Sequence, residues 1–127
     1  MKDFLLIPEA KDEIFLYLIK ENYLNEERFT RSYIRGKFYI KNWGRNKIKM
    51  SLKQKGITEK LISNCMDEID ESDYEKALIK IYQNYFSIQK GHDYQRKSKT
   101  IKYLLSKGYE YDVVLEVLKD GSKLILN

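Results

Sequence analysis

Moved along itself by 52 positions, this chain repeats, and that internal repeat limits the possible folds more than any other feature. Lys47 falls on Lys99, Leu52 on Leu104, and the pair Lys55-Gly56 on Lys107-Gly108. Leu61-Ile62 falls on Val113-Val114, and Cys65-Met66 on Val117-Leu118. A period of this size marks a supersecondary unit that cannot bury its apolar face alone and must stack on a neighbour. Each unit reads as a long helix, a short basic helix, a glycine turn and an apolar helix ending in acids. The first unit spans 25–70 and the second 71–120. Residues 1–24 read as the last helix of an incomplete earlier unit, and 121–127 as a C-terminal tail of no assigned structure.

The periodicity is helical throughout. Tyr74, Ala77, Leu78, Ile81, Tyr85 and Ile88 fall on one side of an α-helix, and Val113, Val114, Val117 and Leu118 follow the same logic. No segment combines strand alternation with hairpin turns, and the one proline, Pro8, is near the start. The fold class is therefore all-α, with helices expected over 9–23, 25–42, 45–55, 58–70, 73–88, 93–107 and 110–119. Asn25, Thr58 and Asp93 are candidate N-caps, and Ser72 with Glu75 forms a candidate capping box. Gly56 and Gly108 each follow a lysine where a left-handed C-terminal cap is wanted. In the 25–42 helix, Phe29, Tyr33, Gly36 and Ile40 form one stripe, with Ile34 and Phe38 nearly opposite. Two apolar sides call for cover on both, as in the interior of a repeat array; the alternative is one compact bundle around a central helix.

Charge is segregated along the chain. The net charge is only +5, but Arg28 to Lys55 holds ten Lys or Arg and no acid, whereas Glu59 to Glu75 holds seven acids and one Lys. Arg28, Arg31 and Arg35 share a helical stripe, and Lys37 and Lys41 lie on another edge. Arg45, Lys47, Lys49 and Lys53 continue on the next helix, with Arg96, Lys97, Lys99 and Lys102 on its counterpart in the second unit. Such residues suit phosphates or an acidic protein groove. The competing reading is a solvated helix face. The 11 tyrosines sit mostly at core spacing, among them Tyr33, Tyr74 and Tyr85, so core packing outweighs base stacking. Trp43, between two helices, is an inter-helix wedge that also lies beside many cations.

No catalytic set converges. His92 is an isolated loop residue, and Cys65 fills a core slot matched by Val117. Two Cys/His residues in total cannot build a zinc site, and no glycine-rich phosphate loop is present. The acids from Asp67 to Asp73 lack the spacing and glycine of an EF-hand, which leaves a metal-dependent nuclease without a ligand set. A helix-turn-helix over 45–70 would present Glu59, Asn64, Asp67 and Glu68 to bases, a poor recognition surface. Apolar runs such as Ile14–Ile19 are too short to span a bilayer, and no leader peptide is evident. A cytoplasmic monomer that is not an enzyme, with no cofactor, no metal and no membrane contact, is the expectation.

These residues also carry a resemblance. Leu24-Asn25-Glu26-Glu27-Arg28-Phe29, the segment Lys41-Asn42-Trp43-Gly44-Arg45-Asn46-Lys47-Ile48, the turn Leu52-Lys53-Gln54-Lys55-Gly56-Ile57, and Leu104-Leu105-Ser106-Lys107-Gly108-Tyr109-Glu110-Tyr111-Asp112 resemble, in order and spacing, motifs of the RecX family. The resemblance covers about 24–118. It implies tandem three-helix repeats in a curved, elongated rod. It also implies a regulatory protein that binds RecA recombinase and its filament on single-stranded DNA and limits filament growth and recombinase activity. The alternative is a helical nucleic-acid-binding module with no recombinase partner. One departure stands out: the family carries three repeats, and this chain carries two and the end of another.

Overall fold

The computed structural model describes residues 8–119, which form six α-helices and no strand. These are α1 (Pro8–Arg35), α2 (Arg45–Gln54), α3 (Glu59–Cys65), α4 (Glu71–Ile88), α5 (Asp93–Ser106) and α6 (Tyr111–Lys119). A π-helical turn, Gly36–Ile40, extends α1, and a 3₁₀ turn, Met66–Glu68, follows α3. The architecture is all-α, built from tandem three-helix units. The tail 121–127 and the extreme N-terminus, the place of any leader, lie outside the described residues.

Helix α1 corrects one expectation. Asn25 does not begin a helix, because α1 runs unbroken through it for 28 residues. An interior Asn costs a helix only a few tenths of a kcal/mol, less than the backbone hydrogen bonds lost by breaking it. With no Gly or Pro between Pro8 and Gly36, nothing forces a break. The helix ends where it widens at Gly36–Ile40: the Lys41 amide donates to the Gly36 carbonyl at 3.3 Å, and Asn42 then turns left-handed at φ 61°. Asn tolerates that conformation better than most residues with a Cβ.

The glycine turns form as the sequence demands. At Gly56 (φ 88°) the Ile57 amide donates to the Leu52 carbonyl and the Gly56 amide to the Lys53 carbonyl, the paired bonds of a Schellman cap. Gly108 (φ 101°) repeats the pattern, with Tyr109 donating to Leu104 and Gly108 to Leu105. Thr58 caps α3 by accepting from the Leu61 amide at 3.3 Å. Two other caps differ from expectation. Asp70, not Ser72, caps α4, accepting from the Asp73 amide at 3.1 Å, so the helix starts a residue or two early. His92 occupies the cap position of α5 without a side-chain bond, while Asp93 is the first helical residue and pairs with Arg96 at 3.3 Å.

The repeat is visible in the core. Leu52 and Leu104, Ile62 and Val114, and Cys65 and Val117 are equivalent by position and all buried. One continuous apolar cluster runs from Ile34 and Phe38 through α2, α3 and α4 to Leu104, Tyr109 and Val117, so the two units share a core. The expectation that α1 is covered on both sides fails. Ile34 and Phe38 are buried, but Phe29 is 46% and Ile40 76% exposed, because among the described residues the second side is met only at Tyr33, by the end of α2. Tyr33 alone is partly covered there, by a hydrogen bond to Ser51 and by the ammonium groups of Lys37 and Lys55.

Candidate functional site

The segregated charges meet in three dimensions. The acidic stretch after α3 folds back onto the basic stripe of α1, and arginines that stand unopposed along the sequence gain partners. Arg31 pairs with Glu27, Asp67 and Glu68 at 2.8–3.0 Å, and Arg35 pairs with Glu68 at 2.8 Å. Hydrogen bonds from Arg35 and then Arg31 hold the Glu68 carboxyl below its ordinary pKa, and the three carboxylates in turn raise that of Arg31. Tyr39 donates to Asp73 at 2.8 Å. The acids from Asp67 to Asp73 are thus ion-pair partners and a helix cap. Among the described residues no group of three or more His, Cys, Asp or Glu could hold a metal.

A second network joins the units. Arg45 opens α2 with its side chain only 15% exposed, paired to Glu110 at 3.1 Å and Glu71 at 2.8 Å. Its guanidinium lies 3.9 Å from the centre of the Tyr74 ring. Tyr74 donates its hydroxyl to Glu110 at 2.5 Å and accepts from the Arg45 amide at 3.0 Å. Burial, with Glu110 as hydrogen-bond acceptor, pushes the Tyr74 phenol well above its usual pKa; burial does the same for Tyr109. The backbones also touch. The Gly44 amide donates to the Lys107 carbonyl at 2.7 Å, and the Asn46 amide to the Gly108 carbonyl at 2.8 Å. The Gly108 turn of the second unit therefore supplies an acceptor for the N-terminus of α2, a helix end with no side-chain cap of its own.

What remains unpaired defines the candidate interface. Arg31, Arg35, Arg45, Lys53 and Arg96 all have acidic partners, Lys53 with Glu59 at 3.6 Å and Arg96 with Asp93. Arg96 also donates to the Phe86 carbonyl and stacks on that ring. Among the described residues, Arg28, Lys37, Lys41, Lys47, Lys49, Lys97, Lys99 and Lys102 make no ion pair. Lys37 and Lys47 instead lie over the Trp43 ring, 4.7 and 4.4 Å from its centre. Lys97 and Lys102 flank a groove of about 430 Å³ with Tyr94, Ile101 and Tyr111. His92 is exposed, and burial raises the pKa of the Cys65 thiol, which marks it as an inert core group.

Sequence reasoning missed the pairing of Arg31, Arg35 and Arg45. For Arg31 and Arg35 a signal existed: two adjacent blocks of opposite charge in one three-helix unit are positioned to face each other once the unit closes; for Arg45, whose partners lie in the second unit, there was none.

The fold and its junction define a class: a helical repeat protein whose three-helix units interlock through glycine turns. Residues 25–66 match the family profile of the second three-helix domain of RecX, and 72–118 that of the third. The chain belongs to the RecX family. It is 35% identical over 108 residues to a Regulatory protein RecX of Clostridium botulinum, covering 83% of this chain and 50% of the relative. Against the Regulatory protein RecX of Clostridium tetani it is 38% identical over 113 residues, covering 84% and 50%. Against that of Serratia proteamaculans it is 28% identical over 113 residues, covering 89% and 66%. The chain spans about half the length of most curated relatives it matches. No solved structure matches it. Among the described residues no helix is long and apolar enough to cross a membrane.

Proposed function

We propose that this chain is a regulator that binds RecA and its filament on single-stranded DNA and limits filament growth and recombinase activity. It acts as a cytoplasmic monomer, by binding rather than by catalysis. The carrying observation is the match of both three-helix units to RecX, whose relatives are named regulatory proteins. The charge distribution supports it. Cations left without acidic partners among the described residues occur in both units, and one pair, Lys47 on α2 and Lys99 on α5, is equivalent by position, which suits a polyanionic partner. In this reading Arg28, Lys37, Lys41, Lys47, Lys49, Lys97, Lys99 and Lys102 face the partner. Arg31, Arg35, Arg45, Lys53 and Arg96 serve chiefly to hold the fold.

The test is RecA-dependent ATP hydrolysis on single-stranded DNA, with and without this protein. Hydrolysis is expected to fall as the protein is added. No effect at a stoichiometric ratio, with DNA binding retained, would instead leave a nucleic-acid-binding module without a recombinase partner.

A further inference from the structure

We infer that Trp43 and the lysines around it form a binding site for a single-stranded polynucleotide, with a base stacked on the indole and the flanking phosphates on Lys37, Lys47 and Lys41. This rests on the reading above and assigns the polynucleotide, as distinct from the protein filament, to one place on the chain.

Cations and aromatic faces converge there. Two ammonium groups lie within 5 Å of the Trp43 ring centre, and Lys37 also reaches the Tyr33 ring at 5.3 Å, as Lys55 does at 5.6 Å. None of these lysines has a carboxylate partner among the described residues, although nearby Arg31, Arg35 and Arg45 all do. The fold neutralises Arg31, Arg35 and Arg45 and leaves Lys37, Lys47 and Lys55 with aromatic faces as their partners among the described residues. A cation over a ring that is still partly open to solvent is held weakly, so a phosphate can draw it aside and free the ring for a base.

The ring is also held in place before any ligand arrives. Trp43 is half-buried, and the backbone around it is pinned at successive residues. The Asn42 amide donates to the Phe38 carbonyl at 2.9 Å, that of Trp43 to Lys37 at 3.0 Å, and that of Gly44 to Lys107 at 2.7 Å. The Tyr109 hydroxyl donates to the Asn42 carbonyl at 3.1 Å. A ring presented by a fixed loop loses little entropy when a ligand stacks on it. Lys37, whose ammonium lies over the ring, also lines a groove of about 240 Å³ with Tyr33, Gly36, Ile40 and Lys41, which leaves room for a strand.

The chemistry of the site selects among polyanions. An acidic peptide would use the lysines but has no planar group for the indole, and a duplex keeps its bases stacked on each other. A flexible single strand uses both features. The second unit has Gln95 at the position of Trp43, so the platform occurs once.

Trp43 is the only tryptophan, so its emission reports on this site alone. Titrating the full chain with oligothymidylate is expected to quench that emission saturably, with oligouridylate separating DNA from RNA preference. Duplex of equal length and polyglutamate are expected to quench little. In anisotropy with a labelled oligothymidylate, Trp43→Leu is expected to weaken binding roughly fivefold to a hundredfold, the range for removing one base stack. Lys37→Glu with Lys47→Glu, both at half-exposed positions, should weaken it further and flatten its salt dependence, by roughly 0.7 in log–log slope for each phosphate no longer neutralised. Helical circular dichroism verifies that each variant is folded. Absence of quenching by oligothymidylate, equal quenching by duplex or polyglutamate, or unchanged affinity in the folded lysine variant would each overturn the site. RecA ATP hydrolysis reads the parent proposal separately: quenching without an effect on RecA sinks the filament reading alone, and suppression of RecA without quenching sinks this one.

Discussion

Replacing Gly44 with alanine tests whether the two units are locked through their backbones. The φ and ψ of Gly44, −77° and 169°, suit alanine, so the change adds no backbone strain. The added Cβ, however, would lie 2.2 Å from both the Gly108 carbonyl carbon and the Tyr109 nitrogen. Both are backbone atoms that cannot swing aside. Reaching an ordinary contact of about 3.4 Å means parting the units by roughly 1.2 Å. That separation stretches the Gly44–Lys107 and Asn46–Gly108 hydrogen bonds, now 2.7 and 2.8 Å, to nearly 4 Å, beyond useful range. Two backbone bonds at about 1 kcal/mol each, added to the strain of overpacking, give a loss of about 3–4 kcal/mol. Gly56→Ala is the control. Its φ of 88° is strained for alanine, but nothing lies within 4 Å of the new methyl, so it costs only about 1–2 kcal/mol. Urea unfolding followed both by far-ultraviolet circular dichroism and by Trp43 emission measures the two variants. Gly44→Ala should lose more stability than Gly56→Ala, and its Trp43 transition should precede the loss of helix. A loss under about 1 kcal/mol, or one smaller than that of Gly56→Ala, refutes the lock.

Other outcomes follow from the ion-pair networks. Arg45→Met should cost about 2–3 kcal/mol in urea unfolding, because Glu110 keeps only its bond from Tyr74 in a mostly buried setting. Arg35→Glu, placing a carboxylate beside Glu68, should lower the thermal midpoint by a few degrees, whereas Arg28→Glu, which has no acidic partner to lose among the described residues, should leave it unchanged; equal shifts would contradict the assignment. Glu68 has its folded-state pKa lowered by Arg35 and Arg31, so its contribution is complete above its unfolded value of 4.5 and is lost as pH falls through the lower folded value. Urea midpoints measured from about pH 7 to pH 3 should therefore decline less in Glu68→Gln than in the parent chain; parallel curves would dismiss the pairing.

The residues differ in how far their roles can be read from sequence. The helices, the turns at Gly56 and Gly108, and the core positions Leu52, Ile62, Cys65, Leu104, Val114 and Val117 were legible, because each depends on neighbours a few residues away or on the 52-residue period. The unbroken course of α1 through Asn25 was not, because a residue that favours caps also tolerates a helix interior when nothing else ends the helix. The pairing of the charges was not legible, for a physical reason. Arg45 meets Glu71 and Glu110, 26 and 65 positions away, and Arg31 meets Glu68, 37 away, distances that only the closing of the units brings within 3.1 Å. Sequence alone determined an all-helical repeat with a basic bias. The tertiary structure decided which cations the fold neutralises and which, around Trp43 and along α5, are left without an acidic partner among the described residues, because that depends on which helix ends the glycine turns bring together.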